Sequence, residues 1–264
     1  MTKSKILFSC LLVISTGVMN SYSQVTDLET LFKEPPKEYS MLPLWSWNGT
    51  LEADRLVFQV DQMLDKGVEG AFMHARSGIN KGATPYFSNG WWAAVDTVVK
   101  HSATKGFLAC LYDEDKWPSG AAGGRTVAEN PEEYAKKALV CEDISIEGPS
   151  SLSLDLEGNI VTIVASQQTE DELIDTETLT DLSPLRGKTW EVPEGRWMVH
   201  VFRQVKEGGI SIDYLDEEAM KAFIKVTHDE YEKRVGAYFG TTIPGIFFDE
   251  IRFSPRNVPG GMSW

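Results

Sequence analysis

The sequence predicts an α/β protein: the N-terminal half of a (β/α)8 TIM-type barrel with an inserted small antiparallel β module. In residues 41–137, apolar runs of strand length alternate with amphipathic helical segments over short connections. Residues 138–211 instead carry short alternating strands, which is typical of an antiparallel sheet. Residues 212–264 return to a helix followed by an apolar strand. Strands that follow one another through helical crossovers are parallel.

The first 23 residues have the pattern of a secretory signal peptide. Lys3 and Lys5 precede the apolar run Ile6–Val18, and the small residues Ser21 and Ser23 suit a cleavage site. The apolar run is too short to cross a bilayer, so no membrane span is expected. We therefore predict export to the periplasm or the cell exterior of a bacterial-type cell, with residues 24–40 as a polar lead-in.

The first part of the barrel is predicted as three strands and two helices. Its elements are the strand Leu42–Trp47, a helix capped by Thr50 and ended by Gly67, the strand Glu69–His74, a helix capped by Ser88, and the strand Phe107–Tyr112. The second helix is expected to bury an apolar stripe formed by Trp92, Val95, Val99 and Ala103. Ser77-Gly78 are expected to break the chain after the second strand.

The inserted module follows a predicted short helix at Glu132–Lys137. Its predicted strands are Leu139–Ile146, Ser151–Leu156, Asn159–Ser166, Lys188–Val192 and Arg196–Val205. Asp216 is then expected to cap one helix that runs to Gly240, with an apolar stripe that includes Ile224. The strand Ile243–Phe248 completes the pattern.

Four parallel strands make only half of an eight-stranded barrel. Such a half-barrel would expose apolar strand edges, which natural proteins avoid. The expectation is therefore that the chain is the N-terminal part of a longer protein and that it is inactive alone. The alternative is an open four-stranded sheet.

Composition narrows the classes of partner. The formal net charge of −14 at pH 7 would repel nucleic acid and anionic membranes, so neither is an expected partner. Beyond the predicted signal peptide only Cys110 and Cys141 remain, and Cys110 lies in the middle of an apolar strand. This usage implies neither a disulfide framework nor a thiolate metal site.

The segment Leu111–Gly124 combines a buried strand with acids, an aromatic residue and a glycine-rich turn. Asp113, Glu114 and Asp115 follow the strand directly, and Trp117 comes next. Acids and aromatics at the C-terminal ends of strands are typical of a sugar-processing site in an α/β protein. The three acids are expected to bind sugar hydroxyls or a cation, although their spacing lacks a calcium-loop pattern. A solvated acidic turn is the alternative, and Trp117 could stack on a sugar or pack in a small core.

The strand at 243–248 also ends in acids, Asp249 and Glu250. Glycosidic cleavage needs one protonated carboxyl at the leaving oxygen and one carboxylate that activates water or attacks the sugar. Only one of two neighbouring strand residues can face the barrel axis. Glu250 is assigned as the general acid, because an apolar strand end raises a carboxyl pKa, and Asp249 as its support. Either residue could instead cap the following segment.

Two further strand ends supply candidate sugar-binding residues. His74 and Arg76 lie two positions apart and therefore on one face, where they could hold hydroxyls or a carboxylate. Trp45, Trp47 and Asn48 end the first strand and are assigned to the same pocket. No metal ligands can be assigned.

Taken together, these motifs resemble glycoside hydrolase family 106, the α-L-rhamnosidase-like enzymes. The resemblance lies in 43–49, 72–78, 111–124, 213–240 and 243–250, in that order along the chain. It implies a secreted barrel enzyme that cleaves terminal α-L-rhamnose from an oligo- or polysaccharide with inversion, and it implies a possible calcium cofactor. A carbohydrate-binding barrel without catalysis, or a barrel glycosidase for another sugar, remains an alternative. The oligomeric state is not predicted.

Overall fold

The structure is a computed structural model that describes residues 28–33, 35–76, 84–171 and 173–264. The predicted signal peptide, part of the polar lead-in and the predicted break at Ser77-Gly78 lie outside these residues. No helix in the described ranges is both long and apolar enough to cross a membrane.

The described residues fold into a mixed α/β structure with two sheets. The strands are β1 Leu44–Ser46, β2 Gly70–His74, β3 Leu108–Tyr112, β4 Lys137–Ser153, β5 Ile160–Gln167, β6 Thr180–Asp181, β7 Thr189–Lys206, β8 Ile246–Phe247 and β9 Met262–Ser263. The α-helices beyond residue 50 are α1 Ala53–Asp65, α2 Asn89–Lys105, α3 Arg125–Glu129, α4 Glu217–Val226 and α5 His228–Val235.

The first sheet contains β1, β2, β3 and β8 in that order, and all of its pairs are parallel. The half-barrel and the open-sheet interpretations both predict this order. Side chains alternate across the sheet, so Ala71 and Met73 of β2 join the core beneath the helices. Phe72 lies on the opposite face, where its ring is 5.4 Å from that of Phe247. This opposite face is called the inner face below.

Helices α1 and α2 cover the other face and fill its core with Trp91, Val95 and Val99, all at most 1% exposed. The predicted cap of α2 is confirmed, because the Ser88 side chain accepts from the backbone N–H of Trp91. Two details of the prediction are wrong: Glu52 rather than Thr50 precedes α1, and Ala103 is exposed while Ser102 is buried. The predicted Trp92, Val95 and Val99 are buried, and Trp91 and Ser102 widen the buried face of α2.

The second sheet is antiparallel, with strand order β6-β5-β7-β4-β9. Its long ribbon β4–β7 consists of two continuous strands, each of which the sequence predicts as two separate short strands. Gly148 and Gly195 lie opposite each other in this ribbon. A Cβ atom at Gly148 would collide with the carbonyl of Pro193, so glycine lets the strands continue past the expected turns.

The helix predicted at Glu132–Lys137 is wrong. The helical turns come earlier, in α3, and Lys137 already pairs with Lys206 as the first residue of β4. Backbone pairing replaces helical bonds at the end of this segment, where Ala135 bridges to Ile212 and Lys137 joins the ribbon, as tertiary context often does.

The long helix predicted from Asp216 to Gly240 is two helices. Asp216 does cap α4, accepting from the backbone N–H groups of Glu218 and Ala219. The chain bends at the fully buried Thr227, whose hydroxyl donates to the carbonyl of Phe223. The bend rotates α5 so that Tyr231 enters the core, whereas Ile224 is 45% exposed.

Candidate functional site

The C-terminal edge of the parallel sheet brings together side chains from three strands. The Tyr112 hydroxyl at the end of β3 lies 2.6 Å from Oδ2 of Asp249 and 2.8 Å from the carbonyl of Lys116. The ring of His74 at the end of β2 lies 3.8 Å from the Tyr112 ring, measured between centroids. Because a phenol has one proton, Tyr112 donates to one of its two acceptors at a time.

His74 is 1% exposed, and this burial is the main reason why its pKa lies below the usual value. Its Nε2 lies 3.3 Å from the carbonyl of Lys116, so the neutral ring donates from that nitrogen. Lys116 has a left-handed φ of 93°, which directs its carbonyl at both His74 and Tyr112. A non-glycine residue in this conformation is strained, as is common at functional sites.

Asp249, rather than Glu250, is the acid that reaches the inner face. Glu250 is exposed, and its backbone N–H donates to Oδ1 of Asp249 at 2.7 Å. The apolar burial expected around Glu250 is therefore not found in this structure. Tyr112 holds the Asp249 carboxylate from one side, as described above.

A hydrogen-bond network of buried groups supports Asp249 from the other side. The hydroxyl of Ser119 accepts from the backbone N–H of Asp249 at 2.8 Å and donates to Oδ1 of Asp113 at 2.5 Å. The second oxygen of Asp113 lies 3.0 Å from Nε2 of His228 on α5. Asp113 is fully buried, so these two partners compensate for the desolvation of its charge.

Glu114 is also buried, and it closes the glycine-rich loop. Its Oε1 accepts from the backbone N–H groups of Asp115 and Gly123, and its Oε2 accepts from that of Ala122. Burial raises the pKa of Glu114 to about 7, an effect that the three N–H donors only partly offset. Gly123 has a φ of 64°, a left-handed conformation that favours glycine in this turn. Glu114 thus organises the loop.

Replacing Glu114 with glutamine is expected to change how stability depends on pH. The folded-state pKa of about 7 lies above the ordinary value of 4.5, so the carboxyl stabilises the fold fully below pH 4.5. That contribution is lost as pH rises through the folded-state pKa. Relative to Glu114→Gln, the wild type should lose up to about 3 kcal/mol of unfolding free energy between about pH 4.5 and about pH 8.

Denaturant unfolding of both proteins across this pH range measures the effect. Glu250→Gln is the matched control, since Glu250 is exposed, and it should follow the wild type. Parallel stability curves for the wild type and Glu114→Gln would contradict the assignment.

Beside this network lies a cleft of about 350 Å³ between the glycine-rich loop and the 207–211 segment. Its walls include Glu114, Asp115, Trp117, Glu207, Tyr214 and Arg256. Trp117 is 37% exposed, and the guanidinium of Arg256 lies 4.5 Å from the centre of its ring. The predicted alternative of a solvated acidic turn is wrong, because Asp113, Glu114 and Asp115 are each at most 6% exposed.

Other predicted residues lie away from this cleft. Trp47 is 2% exposed and packs between Trp45 and Trp91, so its ring belongs to the helix-side core. Trp45 donates to Gln59 of α1, and together with Asn48 it lines a separate depression at the start of that helix. Both indoles point away from the inner face, because residues 45 and 47 lie two positions apart in extended chain and face the helix-side core. Arg76 is exposed after the end of β2.

The sequence interpretation missed Tyr112, Ser119 and His228. Tyr112 could have been predicted from the sequence. It ends β3 on the same face of the sheet as His74, which ends the neighbouring strand β2. Ser119 and His228 carry no such signal. The hydrogen bond between His228 and Asp113 joins residues 115 positions apart, and only the fold brings them together.

The calcium cofactor that the family resemblance implies stays a prediction. Calcium requires several oxygens that converge on one point. Both oxygens of Asp113 face the hydroxyl of Ser119 and the ring of His228, and both oxygens of Glu114 face backbone N–H groups. These hydrogen bonds use one acceptor position or more on each of the four oxygens.

Comparison with known proteins gives a likeness of fold. No protein-family model and no curated protein sequence matches the chain. A solved structure of a rhamnosidase from Novosphingobium sp. PP1Y is similar, with a TM-score of 0.60 and 10% sequence identity. The match covers 85% of this chain and 40% of that one. The chain therefore has a fold like part of that structure and spans well under half of its length.

Proposed function

We propose that this chain forms the N-terminal part of the catalytic region of an exported glycoside hydrolase. The proposed reaction removes terminal α-L-rhamnosyl units from an oligo- or polysaccharide with inversion. The likeness to part of a rhamnosidase structure supports the class of enzyme. The sequential parallel order β1-β2-β3-β8 agrees with half of a (β/α)8 barrel. Export rests on the pattern of the first 23 residues.

The observation that carries the proposal is the position of Asp249. Its carboxylate lies at the C-terminal edge of a parallel sheet, the edge where such folds place their catalytic groups. It accepts from Tyr112 at 2.6 Å and is anchored through its backbone by Ser119. The other carboxylate oxygen accepts from the backbone N–H of Glu250, and a carboxylate held at both oxygens keeps one orientation, which acid–base catalysis requires.

In the proposed chemistry, Asp249 accepts a proton from the water that attacks the anomeric carbon. The new carbon–oxygen bond forms on the face opposite the breaking glycosidic bond, so the configuration inverts. A second carboxyl group, about 6.5–9.5 Å from the first in inverting enzymes, protonates the leaving oxygen. Glu250 takes a supporting role here, the reverse of the sequence assignment, because it is exposed.

The sugar is proposed to bind in the cleft beside this centre. The half-exposed ring of Trp117 offers an apolar face for the C–H groups of a pyranose. Asp115 borders the same cleft and could accept from sugar hydroxyls. His74 is proposed to border the reacting sugar from the end of β2.

A panel of 4-nitrophenyl glycosides tests this function. The enzyme should be the natural gene product, including any coding sequence beyond codon 264. We expect turnover of the α-L-rhamnoside, and proton NMR should detect β-L-rhamnose as the first product. Turnover of a different glycoside would replace rhamnose with that sugar as the proposed substrate. Sugar binding without turnover of any glycoside would overturn catalysis in favour of a carbohydrate-binding protein.

A further inference from the structure

Within the described residues, the antiparallel sheet brings together a cluster of three metal-ligating side chains that the proposed function does not use. Asp143 on β4 is directly paired with His200 on β7, and Nδ1 of His200 lies 2.7 Å from Oδ1 of Asp143. Cys141 lies two residues before Asp143 on the same face of β4. Its sulfur is 3.2 Å from Oδ1 of Asp143 and 4.0 Å from Nδ1 of His200.

We propose that Cys141, Asp143 and His200 form a zinc site that links β4 to β7. Their three ligand atoms lie within 4.8 Å of one another. Tetrahedral zinc with sulfur, nitrogen and oxygen ligands places these atoms about 3.3–3.6 Å apart, so shifts of well under about 1 Å would complete the site. Water would supply the fourth ligand.

The types of ligand select the metal. A thiolate with an imidazole and a carboxylate favours zinc over the hard cations calcium and magnesium, which prefer oxygen ligands alone. Cys141 and Asp143 are exposed, so an ion can enter from solvent. His200 presents Nδ1 to the cluster, whereas its Nε2 is buried in the protein. Nδ1 is therefore the ring nitrogen that can ligate the ion.

The physical consequence would be a cross-link between two strands that are distant in sequence. An ion that binds the folded chain and not the unfolded one raises stability by mass action. The site lies on the outer face of the second sheet, opposite the core that contains Val199 and Val201. It is therefore independent of the Asp249 centre, and its test does not depend on glycoside turnover.

Titration of the purified protein with Co²⁺ tests the proposal, because a cobalt–thiolate bond gives a near-ultraviolet charge-transfer band. We expect this band together with the strong visible bands of tetrahedral cobalt. One equivalent of Zn²⁺ should displace the cobalt and remove both sets of bands, whereas Ca²⁺ should not. Cys141→Ser should abolish the charge-transfer band. Asp143→Asn and His200→Asn should each weaken binding by at least about tenfold. Zinc should also raise the melting temperature of the wild type and not that of Cys141→Ser.

His101→Asn is the matched control, since His101 forms a similar pair with Asp61 at 2.8 Å without a cysteine beside it. This variant should bind cobalt as the wild type does. Absence of the charge-transfer band in the wild type would overturn the site. Unchanged binding in both Asp143→Asn and His200→Asn would also overturn it, because the thiol would then act alone.

Discussion

Replacing Asp249 with asparagine is expected to lower kcat for an aryl α-L-rhamnoside by at least about a hundredfold. The amide keeps an oxygen that can accept from Tyr112, and the backbone N–H still donates to Ser119, so the fold should be retained. What is lost is the ability to take up a proton. Steady-state kinetics of the natural gene product, with circular dichroism to verify folding, measures the effect.

Glu250→Gln is the control for this variant, because the two acids are neighbours in sequence and differ in environment. Glu250 is exposed, and its side chain is outside the Tyr112 network. We expect its substitution to change kcat by less than about tenfold. The opposite ranking, with Glu250→Gln the more damaging, would return the catalytic role to Glu250.

Replacing Lys136 with methionine is expected to lower the free energy of unfolding by about 3–5 kcal/mol. The Lys136 ammonium is almost fully buried and lies 3.5 Å from Oε2 of the equally buried Glu207. It also donates to the carbonyls of Arg252 and Ser254. Removing it leaves the Glu207 charge without its partner in a desolvated site. Denaturant titration gives the change directly.

The double variant Lys136→Met/Glu207→Gln should recover more than half of that loss. Both charges are then absent, and the glutamine oxygen can still accept from the backbone N–H of Arg256, as Glu207 does at 2.7 Å. Equal or greater destabilisation in the double variant would show that the buried charge pair is not the cause. Lys136 holds the carbonyl of Arg252, and Arg252 lines the same cleft as Trp117. The single variant should therefore also weaken sugar binding.

Periodicity and end signals predicted most of the first sheet. The strands at Gly70–His74 and Leu108–Tyr112, and the caps at Ser88 and Asp216, all follow from local pattern. These features depend on residues within a few positions of each other, which a sequence displays directly. The two long strands β4 and β7 were predicted only as fragments, because each is continuous through pairing with the other.

The candidate site was likewise predicted from the sequence only in part. Sequence alone indicated that acids and aromatics end the strands, and it marked Asp113, Glu114, Asp249 and His74. It could not tell that Asp249 rather than Glu250 reaches the inner face, because neighbouring residues at a strand end look alike until the sheet is paired. It also assigned Trp45 and Trp47 to a pocket, whereas the helices cover that face of the sheet.

The sequence by itself determined the alternation of strands and helices and the acidic, aromatic character of the strand ends. Only the tertiary structure decided which of those side chains meet. His228 reaches Asp113 across 115 residues, and His200 reaches Cys141 across 59. Contacts at such separations depend on how sheets pair and helices pack. They leave no periodic trace in the chain, because the residues that meet are set by the fold and not by their spacing in sequence.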